Sequence, residues 1–124
     1  WHQDCPPEKA NIFNLNRLIY THDITDTSGG QLVVVPGSHC RGELTVGKVD
    51  EDFSDQRVLT PKKGDLVLIH GHCWHRVAPI ISRYRVSINF RSAAQYTPED
   101  ITDVCVYRNM RYRFSTSTVI EERC

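Results

Sequence analysis

Each apolar run in this chain is short and closed by a turn former. LVVV stops at Pro36-Gly37, VLT at Pro61 and LVLI at Gly71, while DTSGG separates NLNRLIYTHDI from QLVVV. Short runs rich in β-branched residues fit a pleated surface, and Gly, Pro, Asp and Ser supply the backbone angles that reverse a chain, so the pattern is one of strands and turns. None of these runs approaches the roughly 20 apolar residues of a membrane-spanning helix. The constraint is to an all-β fold.

In detail, NLNRLIYTHDI and QLVVV are two strands joined through DTSGG, and VLTPKKGDLVLIHG reads as a hairpin with Pro61 and Gly64 at its turn. RYRVSINFRS alternates: Tyr84, Val86, Ile88 and Phe90 form an expected core face, with Arg83, Arg85, Ser87, Asn89 and Arg91 opposite. The polar stretch from Cys40 to Val58 suits a surface loop. Near the end, Thr97 as N-cap, Pro98 at the first helical position and acids in the first turn predict one C-terminal helix over 97–114. The expected fold is therefore a single domain over 1–124, with strands over 1–92 in an antiparallel barrel or double-sheet jelly roll, followed by that helix.

Charge narrows the partner. Fifteen basic and fifteen acidic residues are well mixed at net zero, which argues against nucleic acid or an anionic membrane and for a small-molecule or protein partner, of which a small-molecule substrate is the one expected. Five cysteines at irregular spacing, with no CxxC pair, read as free thiols in a reducing, cytoplasmic compartment. Oligomeric state has no signature in the chain.

The residues that carry chemistry begin at WHQD. On a strand, residues i and i+2 share a face, so His2 and Asp4 project side by side while Gln3 points away. GHCWHR supplies His75, and ten residues further along Arg85 stands on the polar face of a strand. Two imidazoles and a carboxylate bind one face of an octahedral Fe(II), leaving positions for a chelating cosubstrate and dioxygen. Such a cosubstrate needs a fixed cation for its far carboxylate, and the planar fork of arginine suits that. Ser87 could add a hydroxyl on the same face. A competing reading is a zinc site in the dense set His70, His72, Cys73 and His75. For His22 and Asp23, solvated strand-end groups are the reading, for Arg83 and Arg91 surface arginines, and for Trp74 a core position.

WHQD, GGQLVVVPGSH, KKGDLVLIHGHCWHRVAP and RYRVSINF, in that order and at these separations, resemble the phytanoyl-CoA dioxygenase family of Fe(II)/2-oxoglutarate oxygenases over roughly residues 1 to 92. The resemblance implies a double-stranded β-helix with His2, Asp4 and His75 as iron ligands, Arg85 on the distal carboxylate of 2-oxoglutarate and His39 near the substrate. It also implies the reaction: 2-oxoglutarate and O2 are converted to succinate and CO2 as a carbon of the substrate is hydroxylated. The triad carboxylate, Asp4, favours hydroxylation over halogenation, since the related halogenases carry Gly or Ala at that place. The sequence departs from the family pattern at Ile80, where Asn usually follows the proline. Helices and a first strand usually precede the HxD motif, so this chain, starting at Trp1, is expected to be part of something longer. A jelly-roll module that binds metal or ligand without catalysis is the alternative.

Overall fold

The computed structural model of the chain describes residues 1–5, 14–44, 51–82 and 84–94. Six strands run in order: β1 Asn14–Tyr20, β2 Leu32–Val34, β3 Arg57–Leu59, β4 Leu66–His70, β5 His75–Val77 and β6 Ser87–Ala93. They form two three-stranded sheets, β4-β1-β6 and β3-β2-β5, in which every pairing is antiparallel. The helical structure among the described residues is a 3-10 turn at Ser38–Cys40, so the strand-rich, all-β expectation holds for them. The expected helix over 97–114 lies outside the described residues, as does Arg83. Among those described, no helix is long and apolar enough to cross a membrane.

The predicted hairpin is corrected. Pro61 and Gly64 do mark a turn, closed by Asp65 N donating to Lys62 O at 3.0 Å, with Gly64 at φ 90°, where a side chain is disfavoured. But β3 pairs with β2 while β4 pairs with β1, so the two runs enter different sheets. The connection uses its hydrogen bonds elsewhere. Tyr20 N donates to Asp65 O, Gly64 N to Tyr20 O and Ile24 N to Pro61 O, which docks the turn onto the end of β1 instead of closing a two-stranded ladder.

One apolar cluster joins Trp1, Val33, Val35, Leu44 and Trp74, with Phe53 and Ala78 against it. The Phe53 ring stands 5.0 Å from that of Trp1 and 5.3 Å from that of Trp74. Thus the described parts of the polar stretch 40–58 are anchored by two apolar residues, Leu44 and Phe53. Trp74, read from sequence as core, is core.

The faces of β6 are the reverse of those expected. Tyr84, Val86, Ile88 and Phe90 are 67%, 46%, 45% and 50% exposed. The register aligns Leu68, Arg17 and Phe90, and beside them Leu66, Ile19 and Ile88, on one outward face. The inward face carries polar groups: Asn14 and Asn16 of β1 are fully buried, and Arg91 lies opposite Asn16. Alternation separates two faces but does not say which one is covered, and the face that meets the HxD segment here is the polar one.

Candidate metal centre

The segment Trp1–Cys5 is stitched between the two sheets. His2 N donates to His75 O at 2.9 Å and His75 N returns to His2 O at 3.1 Å, an antiparallel bridge on the side of β5 away from β2. Asp4 N and Cys5 N both donate to Gly71 O. A Cβ on Gly71 would lie 2.6 Å from Cys5 Sγ, so only glycine lets the two segments approach this closely. Gln3 points away, as its odd position requires. Its amide donates to Gly42 O and His72 O while its oxygen accepts from Leu44 N, fastening the motif to the loop that follows the 3-10 turn.

His2, Asp4 and His75 then converge. One ligand atom from each lies within 4.8 Å of the others, with His2 Nε2 3.5 Å from Asp4 Oδ1 and His75 Nε2 3.6 Å from Asp4 Oδ2. Ligands about 2.1 Å from a common ion at right angles stand roughly 3 Å apart, so the two His–Asp separations are already close to those of a bound divalent cation. His75 Nδ1 lies 2.8 Å from Cys73 O. An N–H there fixes the tautomer and leaves the Nε2 lone pair facing Asp4.

Two residues that sequence reasoning passed over hold the carboxylate. Asn16 Nδ2 donates to Asp4 Oδ2, and Arg91 places a guanidinium nitrogen 3.4 Å from Asp4 Oδ1 while its Nε donates to Asn16 Oδ1 at 3.1 Å. Arg91, expected at the surface, is instead on the buried side with 17% side-chain exposure. The signal that could have found it is its parity with Arg85, six residues earlier on the same face.

Arg85 stands apart from the three clustered groups, held by its own partners. Its Nε donates to Gly30 O at 2.9 Å and Nη2 to Tyr20 Oη at 3.2 Å, and its guanidinium lies 5.4 Å from the Tyr20 ring centroid. These contacts use two of its five donors. Ser87 is paired in register with Tyr20, on the Arg85 side of β6. His39 is exposed on the 3-10 turn, its ring 5.1 Å from that of His70. The rival zinc set does not gather, because His75 is turned toward His2 and Asp4, while Cys73 Sγ contacts Ser38 Oγ and Val35 O. Burial also pushes the Cys73 thiol pKa up, which disfavours the thiolate that zinc requires. Among the described residues, His2, Asp4 and His75 are the compact ligand group.

Burial pushes the His2 imidazole down to about 2, with repulsion from His75 and Arg91 adding to it. At neutral pH it is the neutral donor that a metal needs. The same shift has a linkage consequence for the metal-free protein. Below an ordinary pKa of about 6.5 the unfolded chain takes a proton at His2 that the folded chain refuses. This contribution to stability is therefore complete above pH 6.5 and is lost as pH falls toward 2, at no more than about 1.4 kcal/mol per pH unit. The thermal midpoint of metal-free protein should drop between about pH 7.5 and about pH 5. His2→Gln should flatten that slope, and an equal slope in the variant would contradict the assignment.

The sequence model of the phytanoyl-CoA dioxygenase (PhyH) family matches residues 1–85, a span that begins before His2 and closes on Arg85. No curated protein and no solved structure matches the chain.

Proposed function

We propose, from the premise that this chain belongs to the phytanoyl-CoA dioxygenase family, that it is an Fe(II)/2-oxoglutarate-dependent dioxygenase that hydroxylates a small organic or acyl-type molecule. The observation that carries the reading is the convergence of His2 Nε2, His75 Nε2 and the Asp4 carboxylate, two imidazoles and one carboxylate on one side of a common point. In this reading the two sheets are part of a jelly roll, the double-stranded β-helix, with the site where they meet.

His2, Asp4 and His75 would hold the iron, and the exposed His39 would serve the substrate. Iron with 2-oxoglutarate and O2 supplies the oxidising chemistry, in which 2-oxoglutarate becomes succinate and CO2 and one oxygen atom enters a substrate C–H bond. The protein's part is binding and orientation. Arg85, braced by Gly30 O and Tyr20 Oη, takes the distal carboxylate of the cosubstrate, and Ser87 offers it a hydroxyl. Asp4 would supply the triad carboxylate whose place is open to chloride in a halogenating relative, which favours hydroxylation over halogenation.

The test is an anaerobic titration of metal-free protein with Fe(II) and then 2-oxoglutarate. Chelation of the ion by the keto acid should raise a visible charge-transfer band, and succinate should form once air and a substrate are admitted. Folded protein that binds Fe(II) but gives neither the band nor succinate would be a metal-binding module, and this reading would be wrong.

A further inference from the structure

We infer that Arg91 and Asn16 are positioning residues that set the Asp4 carboxylate for the metal before the metal arrives. The inference rests on the reading of Asp4 as a ligand and goes beyond it, to two residues that touch no metal. Three contacts close a ring: Asp4 Oδ1 to the Arg91 guanidinium at 3.4 Å, Arg91 Nε to Asn16 Oδ1 at 3.1 Å, and Asn16 Nδ2 to Asp4 Oδ2. Asn16 and Arg91 are register partners on adjacent strands, so the sheet itself fixes their spacing.

The chemistry of the ring is directional. The Asn16 amide has a cation at its oxygen and an anion at its nitrogen, and flipping it would set NH2 against guanidinium and C=O against carboxylate. Its orientation is thus determined from both ends, and so is the plane of the Asp4 carboxylate. Each carboxylate oxygen takes one donor from the ring and retains lone-pair capacity, with His2 Nε2 and His75 Nε2 standing beside the two oxygens. A guanidinium on the buried side of a sheet is costly unless paired. Here its partner is the one carboxylate of the ligand group. Holding a ligand in its bound orientation removes ordering entropy from the binding step, and loss of such an outer partner typically weakens metal binding about 10- to 100-fold.

The test uses Co(II) alone, added to the metal-free full chain and followed by its visible absorption. Arg91→Met should weaken Co(II) binding roughly 10- to 100-fold and change the shape of the cobalt bands, a signature that a purely structural tie between β6 and the first residues would not move. Asn16→Leu should do the same, and the double variant should lose less than the two single losses combined, since either change opens the ring. Arg91→Lys, which restores charge without the planar fork, should recover part of the affinity. Arg17→Met, on the outward face of the neighbouring strand, should bind as wild type. Asp4→Ala separates the two readings. If it abolishes Co(II) binding while Arg91→Met and Asn16→Leu bind with wild-type affinity and bands, the positioning role is overturned and the ligand reading stands. If Asp4→Ala itself binds normally, the ligand reading falls. Should Arg91→Met fail to fold, Arg91→Lys and Asn16→Leu decide by the same criteria, and strictly additive losses would also overturn the shared ring.

Discussion

Asp4→Ala is expected to abolish binding of a divalent metal and, with it, 2-oxoglutarate turnover, while the chain remains folded but less stable. The variant loses two things at once. The metal loses the anionic member of its ligand set, and the Arg91 guanidinium and Asn16 amide lose the carboxylate that each engages. Removing one partner from a buried charged hydrogen bond costs about 1–3 kcal/mol, because the remaining group stays desolvated. Arg91 retains some access to water, which places the stability loss toward the lower end. His75→Ala makes the useful contrast. It removes a metal ligand but leaves the ring of Asp4, Asn16 and Arg91 intact, so metal binding should vanish with no guanidinium left unpaired. Metal affinity by titration and thermal midpoints of the metal-free proteins check both halves. Undiminished turnover in either variant would end the reading of these residues as ligands.

The pairing of His2 with Asp4 was legible in the sequence because the two obey a two-residue period. His2 and Asp4 sit at i and i+2 on an extended segment, where a shared side is forced by the pleat. Arg85 shares the parity of Arg91 in the alternating run, although β6 itself begins only at Ser87. Two features were not legible. Local pattern does not say which sheet a strand joins, so the turn at Pro61–Gly64 was visible while the crossing between sheets was not. Nor does alternation carry an absolute direction. The rule that apolar faces turn inward assumes that burial is won by hydrophobicity alone. In β6 the inward side meets a carboxylate and a buried asparagine, so Arg91 is on the covered side and Ile88 and Phe90 are at the surface. Pairing supplied the missing information: once Asn16 is known to face Arg91, the polar interior follows.

Arg85→Met should raise the dissociation constant of 2-oxoglutarate by roughly 100-fold or more while leaving metal affinity in the absence of cosubstrate unchanged. A charge-assisted hydrogen bond contributes about 1.5–3 kcal/mol, and a guanidinium that meets a carboxylate with both arms supplies two. Each 1.4 kcal/mol is tenfold. Arg85→Lys should recover little, since an ammonium cannot reach a carboxylate bidentately while bonded to Gly30 O and Tyr20 Oη as the fork is. The brace itself can be tested at Gly30. That residue has φ 74°, and a Cβ there would lie 2.7 Å from Arg85 Cδ. Gly30→Ala therefore both strains the backbone, by about 1–2 kcal/mol, and pushes the arginine stem from its seat. Its effect on 2-oxoglutarate should run in the same direction as that of Arg85→Met but be smaller, again with metal affinity unchanged. Under anaerobic conditions, isothermal titration of Fe(II)-loaded protein with 2-oxoglutarate reads the cosubstrate constant, and titration of metal-free protein with Fe(II) reads the metal affinity. If Arg85→Met bound 2-oxoglutarate as tightly as wild type, the cation for the distal carboxylate would have to be another group, and the role of the Gly30 seat would fall with it.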